Sequence, residues 1–170
     1  FENKLASCLV NPRACHETDL TYRKTFAPKT VAVVGAGPAG LACATVAAER
    51  GHRVTLFDAA DEIGGQFNYA KRIPGKEEFH ETLRYFRHRL EETRVDVRLS
   101  TPVTAADLTG FDEVVLATGI TPRRVAFPGA DHAKVVSYVD VLSGRVKVGA
   151  RAALIGAGGI GFDVAEYLTH

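Results

Sequence analysis

Thr30-Val31-Ala32-Val33-Val34-Gly35-Ala36-Gly37-Pro38-Ala39-Gly40 is the stretch on which the fold turns. Val31 to Val34 form a short, apolar run rich in β-branched residues, the pattern of a strand buried on both faces of a parallel sheet. Glycines follow at once in G-x-G-x-x-G spacing. Gly35 permits the tight turn off the strand, Gly37 lets backbone approach a pyrophosphate, and Gly40 lets the next helix pack closely on the sheet. The loop from Gly35 through Ala36, Gly37, Pro38 and Ala39 to Gly40 is therefore read as a dinucleotide-binding turn, with phosphates lying against the helix N-terminus.

Working outward, Pro38 to Arg50 is Ala-rich, with Leu41, Val46 and Ala47 at helical spacing and Gly51 as a C-terminal stop. A second strand, Val54 to Phe57, ends at Asp58. This is βαβ order, with the right-handed crossover expected of parallel strands. Asp58 falls 18 residues after Gly40, where a carboxylate can accept hydrogen bonds from ribose hydroxyls and would repel a 2′-phosphate.

Further along, Phe79, Leu83, Phe86 and Leu90 make one stripe of an amphipathic helix spanning Gly75 to Thr93. Val95 to Leu99 and Val114 to Ala117 read as strands. Thr121 to Gly149 reads as a connector with one short helix from Ser137 to Leu142. A last strand is expected at Ala152 to Ile155, before a helix from Ile160 to Leu168. Between them, Gly156, Gly158, Gly159 and Gly161 repeat the first glycine pattern 121 residues after Gly35. The sequence thus predicts an α/β chain with a Rossmann-like fold, a central parallel sheet and two dinucleotide fingerprints.

Composition narrows the classes. The chain has 170 residues, 46% of them hydrophobic, enough for the core of one ordinary domain. Lys and Arg number 21 against 20 Asp and Glu, a formal net charge of +1, which offers no broad field for nucleic acid or an anionic membrane. The longest apolar stretch, Val31 to Ala48, is broken by glycines and a proline and lacks a basic leader, so it reads neither as a signal peptide nor as a membrane span. Three cysteines, Cys8, Cys15 and Cys43, are too few and too scattered for a secreted disulfide framework, and a cytoplasmic location is expected. The opening on Phe1, the absence of Met and the stop at His170 just after a glycine turn suggest a piece cut from a longer chain.

Two further motifs carry a resemblance. Glu62-Ile63-Gly64-Gly65-Gln66 and Leu116-Ala117-Thr118-Gly119, taken with both fingerprints and Asp58, are similar to the motifs of the two-dinucleotide-binding flavoproteins related to glutathione reductase. The resemblance implies FAD at the first fingerprint, with Gly64, Gly65 and Gln66 approaching it and Ala117, Thr118 and Gly119 closing over it. It implies NADPH or NADH at the second. Val103 would offer backbone groups to the adenine edge. Lys76 and Arg72 read first as solvated surface charges, with phosphate or FAD hydroxyls as the alternative they could face.

A closer resemblance covers nearly the whole chain. Ser7-Cys8-Leu9-Val10-Asn11-Pro12-Arg13, Gly64-Gly65-Gln66-Phe67-Asn68, Ile73-Pro74-Gly75-Lys76-Glu77-Glu78-Phe79 and Gly156 to Asp163 look like bacterial NADPH-dependent 2,4-dienoyl-CoA reductases. Those belong to a wider group with trimethylamine dehydrogenase and the 2-enoate reductases, built on an N-terminal TIM barrel carrying FMN. The resemblance implies that Cys8 is the last of four ligands of a 4Fe-4S cluster, the others lying upstream, and that cluster and FMN belong to the full-length protein. Residues 1–29 would then be a leader from the iron-sulfur segment, 30–150 the FAD-binding domain with its connector, and 151–170 the first strand and helix of an NAD(P)H-binding domain. Partners would be small dinucleotides, the barrel of the same polypeptide and, through the apolar C-terminal helix, a second copy. No catalytic residue is assigned: the acid that would protonate substrate belongs to the barrel. Cys43 reads as a small core residue, Cys15 as a packed or free thiol, and His80 and His88 as solvent-facing.

Overall fold

The structure, a computed structural model, describes residues 6–8, 11, 13–124 and 126–170. The leader residues 1–5 and the Leu9, Val10 and Pro12 positions of the Cys8 motif lie outside the described residues. Four strands, β1 (Thr30–Val34), β2 (Arg53–Phe57), β3 (Asp96–Arg98) and β4 (Glu113–Leu116), form one parallel sheet in the order β3-β2-β1-β4. The helices are α1 (Pro38–Glu49), α2 (Phe67–Ala70), α3 (Phe79–Thr93), α4 (Tyr138–Leu142) and α5 (Gly159–Thr169), with a 3-10 turn at Ala106–Leu108. The Rossmann-like α/β expectation holds.

Period-two alternation decides which side chains meet the helices. Val31 and Val33 of β1, with Val54 and Leu56 of β2, enter one core with Leu41 and Ala44 of α1 and Leu83, Phe86 and Leu90 of α3. α3 starts at Phe79, four residues later than the periodicity predicts, because Gly75 adopts φ +77 and its N–H is taken by the Glu77 carboxylate. That turn prevents the helix from running back to Gly75. α4 lies close to its predicted span, Ser137 capping it by accepting from the Asp140 N–H.

On the opposite face, β1 is covered at Ala32 but β4 is not: Leu116 is 72% exposed. Val34, Val103, Leu108, Val114 and Leu116 line an open groove there. The expected strand at Ala152 to Ile155 does not form. A strand is held by a neighbour's ladder of hydrogen bonds; no described segment pairs with these residues, and Leu154 and Ile155 stand in solvent. α5 forms without it and packs in a second, smaller core, in which Val164 meets Ile73, Val141 and Leu142. Among the described residues no helix is long and apolar enough to cross a membrane.

One carboxylate fixes how β1 and β4 begin. Asp112 accepts from both the N–H and the hydroxyl of Thr30, each at 2.7 Å, and returns its own N–H to the Thr30 carbonyl. The Thr30 backbone bond, then its hydroxyl, hold the Asp112 carboxyl below its ordinary range. A lowered folded pKa contributes stability above the unfolded value and loses it as pH falls through the folded value. Asp112→Ala should therefore lower the denaturation midpoint at pH 7, and the gap between variant and native should close as the solution is acidified through that lowered pKa. A gap of constant size from pH 7 to pH 2 would disprove the assignment.

Candidate dinucleotide-binding site

The first glycine turn is built on two close approaches. Gly35 sits at φ +109, and a Cβ on it would overlap the carbonyl oxygen of Ala117. A Cβ on Gly40 would overlap the carbonyl oxygen of Gly35. The strand, the turn and the first turn of α1 therefore close only with hydrogen at both positions. Gly37 differs. It caps α1 in an extended conformation, φ −75, and a Cβ there would meet nothing within 4 Å. Neither backbone angle nor packing within the protein demands glycine at 37. What glycine leaves there is open space before the α1 N-terminus, where unpaired N–H groups favour an anion.

Two segments distant in sequence pack against this turn. The Gly64 N–H donates to the Ala36 carbonyl at 2.8 Å, and Gly65, at φ +52, faces Gly37 so closely that a Cβ on it would lie 3.1 Å from the Gly37 Cα. The Ala117 N–H donates to the Val34 carbonyl at 2.8 Å, extending the β1–β4 ladder by one residue and placing Ala117 behind Gly35. Gly119 then turns the chain at φ +71. Gln66, Ala39 and Thr118 are exposed, and Pro38 occupies the first helical position of α1.

Asp58 does more than its spacing indicated. One carboxylate oxygen accepts from the Ala36 N–H at 2.5 Å and the other from the Ala60 N–H at 2.8 Å. The acid is thereby clamped to the glycine turn with lone pairs left for a hydroxyl donor. The parallel register that sets Phe57 beside Val34 supplies this contact. Asn68 and Lys71 were not identified as structural supports by sequence reasoning. The Asn68 amide donates to the Ile63 carbonyl at 3.0 Å, and Lys71 donates to the Asn68 oxygen at 2.7 Å, so both buttress the Gly64-Gly65 corner.

The remaining candidates are placed as follows. Val103 and Thr118 line the same groove, a cavity of about 510 Å³ at the sheet's open face. The Lys76 ammonium contacts both carboxylate oxygens of Asp163 at 2.7 Å. The second turn repeats the first: Gly156 has φ +121, Gly158 caps α5 with φ −87, and a Cβ on Gly161 would overlap the Gly156 carbonyl oxygen. Gly158 and Gly159, like Gly37, have nothing within 4 Å of a Cβ.

Cys8 is exposed, and its sulfur accepts from the Asn11 N–H at 3.4 Å. Among the described residues no group of three or more His, Cys, Asp or Glu side chains could hold a metal. The three cysteines of the chain are one short of the four thiolates that a 4Fe-4S cluster ordinarily takes. Cys43 packs against the core, and burial pushes its thiol up. Cys15 is exposed in a left-handed conformation, φ 63, and His80 and His88 face solvent.

Fold and turns together define a dinucleotide-binding α/β module. The chain belongs to the pyridine nucleotide-disulphide oxidoreductase family, whose family model matches residues 29–170. It is 36% identical to a metal reductase of Desulforamulus reducens across 100% of this chain and 26% of that protein. It is likewise 36% identical to a cinnamate reductase of Clostridium sporogenes, over 96% of this chain and 25% of that one. Among solved structures, a 2-naphthoyl-CoA reductase in complex with 2-naphthoyl-CoA superimposes with a TM-score of 0.90 at 37% identity, covering 95% of this chain and 25% of that one. The chain thus spans about a quarter of the length of these relatives, all of them oxidoreductases by name.

The contrast between Gly35 and Gly37 separates folding from ligand. Gly35→Ala should cost about 3 kcal/mol or more of stability, through a strained positive φ and a backbone overlap. Gly37→Ala should stay within about 1 kcal/mol of native stability yet weaken dinucleotide binding by at least about tenfold, a loss of roughly 1.4 kcal/mol. Denaturation curves and ligand titration on the two variants check this; equal stability losses would remove the distinction.

Proposed function

We propose that this chain holds the ADP half of FAD at the first glycine turn and NADPH or NADH at the second, as part of an NAD(P)H-dependent flavoprotein oxidoreductase. The observation that carries this reading is the meeting of Gly37, Gly65 and the α1 N-terminus around space that no protein atom fills. Asp58, fixed on the same turn, would accept ribose hydroxyls. Ala117, Thr118 and Gly119 would close the far side, with Val103 toward the adenine. The bound flavin supplies a hydride-accepting ring. The protein's share is to bind, orient and exclude water.

Within that class the reading is a 2,4-dienoyl-CoA reductase. Its support is the run of matching segments from Cys8 to Asp163, together with the likeness to a reductase solved with an aromatic thioester of coenzyme A. On this reading residues 30–150 form the FAD-binding domain, and the second turn opens the nicotinamide domain. The FMN-bearing barrel and a cluster for which Cys8 would be one ligand belong to the longer polypeptide.

Calorimetric titration with FAD and with ADP, alongside the visible spectrum of retained flavin, tests the reading. FAD should bind more tightly than ADP and leave the protein yellow. Asp58→Ala should weaken FAD binding by roughly 1 to 3 kcal/mol through lost charged hydrogen bonds. Equal affinity for FAD and ADP with a colourless protein would refute the flavin.

A further inference from the structure

The segment that begins at the first glycine turn ends on the helix of the second. Gly64 is tied to Ala36, and from there the backbone is bonded step by step. Phe67 donates to Gly64, Asn68 to Gly65, Tyr69 and Ala70 to Gln66, Lys71 to Phe67, Arg72 to Tyr69, Ile73 to Ala70 and Lys76 to Ile73. Every one of these bonds is local, so the segment has no open joint between its ends.

At its far end Ile73 is 1% exposed in the core that contains Val164 of α5, and Lys76 grips Asp163 with both carboxylate oxygens at 2.7 Å. Asp163 lies two residues beyond Gly161, whose close approach to the Gly156 carbonyl locks α5 to the second turn. The second turn itself is exposed from Gly156 to Ile160. Its position therefore follows from how α5 is held, and α5 is held by α4 and by this segment.

From this we infer that residues 64–76 act as a strut setting the second dinucleotide turn relative to the first, with Lys76 and Asp163 as its positioning pair. The inference rests on the two-nucleotide reading above. The Lys76 and Asp163 side chains are 40% and 31% exposed, and an ion pair so open to solvent contributes little to stability. A contact so weak in stability, linking residues 87 apart in the chain, acts by fixing the azimuth of α5 on a core of few side chains. Hydride transfer between bound cofactors tolerates little misplacement, because reacting atoms must come within about 3 to 3.5 Å. A small swing of α5 would then appear in the reduction rate.

The test is made in the full-length protein with Asp163→Lys, which sets two cations against each other, and with the exchanged pair Asp163→Lys with Lys76→Asp. Two readouts are taken: hydrogen exchange of α5 amides without nucleotide, and the rate of flavin reduction at saturating NADPH or NADH. Asp163→Lys should speed α5 exchange several-fold and slow reduction about fivefold, the factor equivalent to about 1 kcal/mol, with FAD affinity unchanged. The exchanged pair should restore both readouts, as a direct pairwise contact requires. Native α5 exchange in Asp163→Lys would overturn the strut. So would an exchanged pair no closer to native than the single variant, an outcome assigning Lys76 to a ligand. If the native protein's flavin is reduced by neither nucleotide, the functional reading falls, and α5 exchange alone then decides the strut.

Discussion

The carbonyl of Gly35 occupies the place where any side chain at position 40 would begin, and Ala117 occupies the place of any side chain at 35. These overlaps draw β1, β4 and the start of α1 together to backbone contact, and the rest of the arrangement hangs on that closeness. With the turn so tight, the α1 N-terminus points over the ends of the parallel strands, where such sheets place their ligands. Asp58 can then reach the Ala36 N–H across only one strand spacing, and Gly64 can reach the Ala36 carbonyl from the other side.

The two glycine turns share one geometry but stand in different surroundings. Around the first, the Gly64-Gly65 corner and the Ala117-Thr118-Gly119 turn build walls, and Asn68 and Lys71 hold one of them in place. Around the second, the preceding residues form no strand and are exposed, and the packing comes from the helix that follows. Local sequence suffices to form such a turn. Long-range packing is what makes it a site.

That division also explains what could be read from the sequence. β1, α1, β2 and the short α4 fall within a residue or two of expectation, because each carries its own signal: β-branched runs, small residues at helical spacing, a Ser cap. Ala152 to Ile155 has the same strand-like composition and stays outside the sheet, since composition specifies a strand and only a partner makes one. Of the site, the glycines and Asp58 were legible because their roles are set by backbone geometry at fixed spacing. The Asn68 brace and the grip of Lys76 on Asp163 were not, as both depend on how far the 64–76 segment travels.

The two margins of the sheet are unequal. β3 is three residues long, with charged Asp96 and Arg98 turned outward and paired with each other, so it offers a second strand little to align with. β4 ends instead in exposed Val114 and Leu116, and no described strand uses its outer row of backbone groups. Growth of this sheet is therefore polarised. Any additional strand, whether from the same polypeptide or from a neighbour in concentrated solution, has one hospitable border to join, beside the Ala117 turn.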